Sequence, residues 1–232
     1  MEALMPRPLF TLSPRLAACG AFVRTGSPLI DVGTDHAYLP IWLLRTGAVP
    51  RAVCCDINPG PLRSAEHHAR EYHTEDRLRL VLSDGLAGLG PEDGDDIVIA
   101  GMGGELILRI VALAPWLKDP AKRLILQPMS AASELRAGLW ELGFPIHTER
   151  AVEDHGKVYT VLCAQYAGPL PPVDPVYLEM GRLTPGEPAV HRYAVKTVRR
   201  LTDQLRGAEA RGEDGSRLRQ LIRQIVQQYA VD

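Results

Sequence analysis

Three aspartates stand where short apolar runs of this chain give way to turns: Asp31 in LIDVGTDHA, Asp56 in AVCCDI and Asp84 in LVLSDGL. The segment from Asp31 to Ala37 has the spacing of a D-x-G-x-G-x-G nucleotide loop, with Asp35 and Ala37 in place of the later glycines. Gly33 lets the backbone turn sharply and approach a ligand closely. Thr34, Asp35 and His36 crowd a turn in which a purely structural junction needs at most a helix cap. Asp56 follows Asp31 by 25 residues, near the spacing of about 20 expected of an acid that binds ribose hydroxyls. Asp84, followed by Gly85, can accept from an adenine amino group, with Leu86 flanking the ring. Each of these acids alone could equally be a turn or cap residue. Three at successive run ends is a much less expected accident.

The sign of the charge narrows the ligand. A dinucleotide site sets a diphosphate over a glycine-rich helix N-terminus, and Asp31 and Asp35 would repel it. S-adenosylmethionine has no phosphate, and its sulfonium and ammonium groups suit an acidic loop. The run Gly101-Met102-Gly103-Gly104 at the next apolar end leaves room for a flat base beside a methyl donor. It lacks the N/D-P-P-Y/F string that holds an amino acceptor, which favours a ring nitrogen over an exocyclic amine. Gln127-Pro128 follows the fifth run; the amide can donate and accept toward a base edge, or serve as a satisfied structural group. Asp35 and His36 are the candidates for catalysis, as the polar residues that depart from the glycine-loop pattern.

The elements that must position these residues follow from hydrophobic pattern. Residues 29–32, 52–57, 78–84, 96–101 and 123–128 read as buried strands, rich in Val, Ile and Leu and ending near Gly, Asp or Pro. Their continuous apolarity implies cover on both faces, as in a parallel sheet. Helical patterns at about 39–47, 60–73, 104–114 and 130–142 alternate with them, which predicts right-handed crossovers in a doubly wound α/β sheet. Residues 144–154 and 157–166 predict a closing hairpin around His155-Gly156. The proline-rich GPLPPVDP (168–175) reads as a linker. Beyond it come a short helix near 175–183 and two amphipathic helices joined by RGEDGS, a helical hairpin.

Bulk properties exclude other classes. The net charge of −2 argues against a simple polycation, although the chain after Val173 carries +2 and the rest −4. No apolar run approaches the roughly 18 residues of a membrane span, and MEALMPRPLF lacks the features of a secretory leader. Cys19, Cys54, Cys55 and Cys163 show no C-x-x-C spacing, so neither a metal site nor a disulfide framework is expected. A reducing, cytoplasmic setting fits. On the residues alone, three alternatives stay open: another class I methyltransferase acting on RNA or a small molecule, a nicotinamide-dependent Rossmann oxidoreductase, and a cofactor-binding RNA module without catalysis.

The strings IDVGTDHAYLP, INPGPL, SDGL, IAGMGGELI and LILQP, in this order and spacing and followed by KVYTV, resemble the bacterial tRNA adenine(22)-N1-methyltransferase family. The resemblance runs from about Ser13 to Ala167. It implies a Rossmann-like class I methyltransferase domain over 1–168 and a small C-terminal α-helical domain over 169–232. It implies S-adenosylmethionine as cofactor, no metal, no membrane, and methylation of N1 of an adenine in the D-arm of tRNA. Carried over by motif, Asp31, Gly33, Thr34, Asp35 and His36 line the cofactor pocket. Asp56 and Ile57 hold ribose and adenine, Asp84 and Gly85 the adenine amino group. Gly101 and Met102 back the methionine moiety. Arg15, in SPRL, either reaches the cofactor carboxylate or packs at the domain edge. Toward the substrate lie Gly103, Gly104, Gln127 and Pro128. The basic stretch with Arg192, Lys196, Arg199 and Arg200 is set to contact phosphates, or forms a solvated helical face. Met129 and Thr160 depart from the family pattern, where a more polar residue and an acid are expected.

Overall fold

The computed structural model describes residues 8–231. The first seven residues, which belong to the stretch read above for a leader, and Asp232 lie outside them. Each predicted run is a strand: β1 (Leu29–Val32), β2 (Ala52–Asp56), β3 (Leu78–Leu82), β4 (Asp96–Gly103) and β5 (Arg123–Ser130), followed by β6 (Ile146–Asp154) and β7 (Lys157–Ala164). They form one sheet in the order β3-β2-β1-β4-β5-β7-β6. The first five in that order are parallel, and β7 runs antiparallel to both neighbours. His155 and Gly156 join β6 to β7 with φ of 48° and 72°, the left-handed pair that a two-residue hairpin turn requires.

Successive strand residues point to opposite faces, so a strand covered on both sides reads as a continuous apolar run. On one face Leu29, Cys54, Val98 and Ile125 pack against α1 (Pro14–Gly20), α2 (Tyr38–Arg45) and α3 (Pro59–Glu71). On the other, Ile30, Val53, Ile97 and Leu124 meet α4 (Gly104–Ala112) and α5 (Ala132–Glu141). All four cysteines are free and buried. One sequence expectation needs correction, and one element escapes the pattern. β3 is the outer strand and is only partly covered: Leu78 is buried against the α1–α3 face, but Leu82 at its carboxyl end is 61% exposed. Helix α1 escapes the hydrophobic pattern because its seven residues, about two turns, carry no full apolar stripe. Its signal was Ser13-Pro14, and the Ser13 hydroxyl caps the Leu16 amide.

After β7 the chain continues through α6 (Pro175–Met180) to α7 (Pro188–Ala210) and α8 (Ser216–Tyr229). Val190, Tyr193, Ala194 and Leu201 of α7 share a third core with Ile225 and Tyr229 of α8, and with Ala151 and Val158 of the β6–β7 hairpin. Among the described residues no helix is long and apolar enough to cross a membrane.

One side chain joins these layers. Arg136 of α5 is 0% exposed. Its Nη2 donates to Glu149 Oε1 at 2.6 Å and to the Tyr193 hydroxyl at 3.1 Å, and its Nη1 donates to the carbonyls of Leu178 and Glu179 at 3.0 and 2.8 Å. Burial alone would lower its pKa; the Glu149 carboxylate, helped by Tyr193, outweighs that and holds it raised. Gly181, at φ 60°, lies against the pair so closely that a Cβ would fall 1.7 Å from Glu149 Oε2. Removing one partner of a buried pair leaves the other charge uncompensated. Arg136→Met should therefore cost about 3–5 kcal/mol in urea unfolding, and Gly181→Ala should also destabilise strongly. Wild-type stability in either variant would show that the pair does not hold the helices.

Candidate functional site

Strand order reverses between β1 and β4, and the carboxyl ends there open the crevice in which sheets of this kind bind ligands. Asp31 lies in that region, 8% exposed, with one side-chain partner: the Thr34 hydroxyl donates to its Oδ2 at 2.5 Å. Burial raises its pKa from 3.8 to about 6, against the opposing Thr34 bond. Gly33 turns at φ 74° and its amide donates to the Cys55 carbonyl at 2.8 Å, tying the loop to β2. A Cβ at Gly33 would lie 2.0 Å from Met102 Cε, so the β1 and β4 loops touch here. Ala37, standing where the loop pattern has its last glycine, takes the left-handed conformation at φ 55°. The backbone geometry of the glycine loop is thus kept without the glycine.

Asp35 projects into solvent with its side chain 81% exposed, and its Oδ2 is 3.5 Å from His36 Nε2. His36 has the opposite character at its other nitrogen: Nδ1 is buried and unpartnered among the described residues. The His36 ring lies 5.3 Å from Tyr38 and 5.4 Å from His68. At the β2 end, Asp56 Oδ1 accepts from the Asn58 amide at 2.7 Å, and Ile57 is 61% exposed. After β3 the turn is held by Ser83, whose hydroxyl accepts from the Gly88 amide and donates to the Gly85 carbonyl. That leaves Asp84 exposed at the edge. The structure therefore gathers Asp31, Gly33, Thr34, Asp56, Ile57, Asp84, Gly85, Gly101 and Met102 at one sheet edge.

The β5 side is arranged differently. Gln127 is fully buried; its Oε1 accepts from the Gly101 amide and from Arg15 Nη1, both at 3.1 Å, and its Nε2 donates to the Pro128 carbonyl at 2.9 Å. Arg15 Nε donates to Asp154 Oδ2 at 2.6 Å, and the guanidinium lies 5.1 Å from the Tyr159 ring. Both side chains are engaged in bracing the β4 glycine loop against β5 and β6. Sequence reasoning missed Asp154, which reads as a turn acid, because its partner is 139 residues away. Gly103 and Gly104 sit where β4 passes into α4, packed against Ser130 and Ala131.

The basic stretch does not act as one patch. Arg192 pairs with Glu153 at 2.5 Å and Arg200 with Glu179. Lys196 donates to the Val158 carbonyl at 3.2 Å. Lys196, Arg199 and Arg200 line a shared groove along α7, whereas Arg192 borders a separate depression near Pro188 and Gln228. Across the hairpin, Arg219 pairs with Glu209. Among the described residues no cluster of His, Cys, Asp and Glu could hold a metal ion.

A methyltransferase-domain family model matches residues 12–162. The curated tRNA (adenine(22)-N(1))-methyltransferase of Bacillus subtilis is 31% identical over 172 residues, which cover 74% of this chain and 72% of that protein. A Streptococcus pneumoniae protein described as a candidate tRNA (m1A22) methyltransferase, solved in complex with S-adenosyl-L-methionine, superposes with a TM-score of 0.80 at 30% identity, over 93% of this chain and 100% of its own. A Streptococcus agalactiae protein of the NADB-Rossmann superfamily also gives a TM-score of 0.80, at 28% identity, over 94% of this chain and 97% of its own.

Asp31 supplies a test of this edge that needs no ligand. Its folded pKa of about 6 lies above the ordinary value of 3.8. The folded protein therefore keeps a proton that the unfolded chain sheds, and stability present below about pH 4 is lost as pH rises through about 6. Asp31→Asn should remove that loss. Without cofactor it should melt higher than wild type at pH 7.5, by up to about 3 kcal/mol, with the gap closing below pH 4. A pH-independent gap, or lower stability at pH 7.5, would contradict it.

Proposed function

The chain belongs to the tRNA (adenine(22)-N1)-methyltransferase family of S-adenosylmethionine-dependent enzymes, and from that premise we propose that it methylates N1 of adenine 22 in the D-arm of tRNA. The observation that carries this reading is the acidic edge, with the half-satisfied Asp31 carboxylate at its centre. Those residues fit the cofactor: a buried carboxylate with one hydrogen-bond partner, an imidazole nitrogen in the same loop with no partner among the described residues, and an exposed apolar Ile57 next to the strand-end acid Asp56.

Bound S-adenosylmethionine supplies an electrophilic methyl group on a sulfonium. Asp31 offsets positive charge on that ligand. Asp56 would accept from the ribose hydroxyls, Asp84 and Gly85 would meet the adenine amino group, and Ile57 would cover the ring. Gly101 and Met102 would back the methionine moiety and Gly103 would border the flat acceptor, while Gly104 packs against the Ala131 carbonyl and sets the start of α4. Gln127 and Arg15 act by holding the Gly101 loop in place, and Pro128 ends β5 beside it. N1 of adenine lies on the Watson–Crick edge, so the base must be unpaired or extruded to react. The neutral nitrogen already has a lone pair, and positioning with exclusion of water provides most of the acceleration. Asp35 and His36 follow the Gly33 turn in the same loop, and we assign to them the task of offsetting the charge of the methylated base or accepting its N6 proton. We assign catalysis to 1–168, RNA contact to 169–232 through Lys196, Arg199 and Arg200, and a cytoplasmic location.

Methyl transfer to bacterial tRNA followed by nucleoside mass spectrometry tests the reading. 1-Methyladenosine should form, and a transcript with guanine at position 22 should yield none. Another product, or none, overturns the assignment. Asp35→Asn and His36→Ala should each lower kcat, by up to about 100-fold, with cofactor affinity much less affected. Full turnover in both would remove them from catalysis.

A further inference from the structure

A cavity of about 330 Å³ opens between the carboxyl end of β5, the start of β7 and the flank of α7. It adjoins the glycine end of β4, because Gly103 pairs with Ser130 across the ladder and a Cβ on Gly104 would lie 2.2 Å from the Ala131 carbonyl oxygen. Helix α5 begins in its wall. Ala131 stands before the first turn at φ 53°, and no side chain caps that turn. The first amides of a helix have no intrahelical acceptor and carry the positive end of its dipole, so they attract an anion.

Thr160 points to a ligand independently. Alternation along β7 sends Val161 into the α1–α3 face and Leu162 into the α4–α5 face. Thr160 shares the side of Leu162 and lines the same cavity. It is 1% exposed, and its hydroxyl has no hydrogen-bond partner among the described residues. A buried polar group left unpaired is costly, and such groups call for an explanation. Lys196 enters from α7, its Nζ 5.8 Å from the Tyr159 ring and 3.2 Å from the Val158 carbonyl. Burial, with Arg200 and Lys157 nearby, lowers its pKa, which an anion beside it would reverse. Arg200 closes the same wall. Glu134 is the one acid among the lining residues; it is exposed at the rim and accepts from the Ser133 hydroxyl at 2.9 Å.

We propose that this cavity is a phosphodiester site: it holds one backbone phosphate of the RNA strand carrying the target base, between the first amides of α5, the Thr160 hydroxyl and Lys196. The proposal rests on RNA being the substrate. The groove lined by Lys196, Arg199, Arg200 and Arg211 continues from the cavity along α7, so the strand has a path leading away from the reacting base. The other anion available to the enzyme is the carboxylate of the cofactor, and the test separates the two.

Equilibrium binding of tRNA is measured against salt concentration, without turnover, for wild type, Thr160→Val and Lys196→Gln, together with cofactor affinity and melting temperature. Thr160→Val replaces an orphaned hydroxyl by a methyl group and should raise the melting temperature, yet weaken RNA binding about fivefold to tenfold. Lys196→Gln should weaken it about tenfold and reduce the slope of log K against log salt by about one. Cofactor affinity should hold in both. Unchanged RNA affinity and salt slope in both variants overturn the proposal. So does a loss confined to cofactor affinity, which would give the site to the cofactor carboxylate. A wild type that shows the predicted RNA signature but transfers no methyl group supports the phosphate site and overturns the functional reading instead. A wild type that binds no RNA overturns both.

Discussion

The guanidinium of Arg136 sits where no water reaches, and burying such a charge is tolerable only if every direction it points in is answered. Glu149 answers with its carboxylate, Tyr193 with a hydroxyl, and the carbonyls of Leu178 and Glu179 take the remaining donors. Those two carbonyls belong to the last turn of α6, whose final carbonyls lack helical partners, so one side chain satisfies two deficits at once. The same contacts tie α5 to β6, α6 and α7. Replacing a buried ion pair by apolar groups of similar volume is often neutral for stability. The consequence of this pair is geometric. It sets the spacing of α5 and α7, which are two walls of the cavity beside the glycine end of β4. Gly181 is the backbone counterpart of that constraint, since any side chain there would displace the carboxylate.

With that spacing fixed, the carboxyl edge of the sheet divides by charge. On the β1–β3 side the side chains are acidic: Asp31 buried, Asp56 half-exposed, Asp84 and Asp35 in solvent. On the β5–β7 side stand open helix amides, a lone hydroxyl and Lys196. The glycine run of β4 separates them. A cationic methyl donor and an anionic strand would be drawn to opposite ends of one crevice, and the acceptor base would lie over the glycines between. The burial of Asp31 fits this division. Burial that strips water from this carboxylate and raises its pKa also leaves its ionised form with a stronger attraction for a cationic ligand than an exposed acid has.

Much of this was legible because it is local. Strand positions could be read from runs of Val, Ile and Leu, and the acids from their places at the run ends. Even Ala37 was recognisable as a substitute for glycine, although only its left-handed φ shows that the loop geometry survives the substitution. What escaped was long-range or collective. Nothing near Gln127 reveals that its amide is consumed by Gly101 and Arg15, so a residue that looked able to read a base turns out to brace a loop. Arg136 and Glu149 look like ordinary charges on a helix and a strand, since burial is a property of the assembled layers. Thr160 stood out only as a departure from a pattern. Its meaning depends on which face of β7 it occupies and on what α7 brings near it.

The basic stretch shows the same limit in its electrostatics. Counting Arg192, Lys196, Arg199 and Arg200 as free positive charge overstates the field, because Glu153 and Glu179 are paired with two of them. With a net charge of −2, the molecule has no global attraction for a polyanion to rely on. Recognition has to be local and short-ranged. Exposed ion pairs contribute little, about 0–1 kcal/mol each, so Arg192 can exchange Glu153 for a phosphate at small cost when a strand is already held nearby, whereas Arg200 is tied to the largely buried Glu179. A buried, pre-formed anchor in the cavity would do that holding. The arginines of α7 then add contacts in proportion to how well the strand is placed, which favours an RNA of the right shape over any other polyanion.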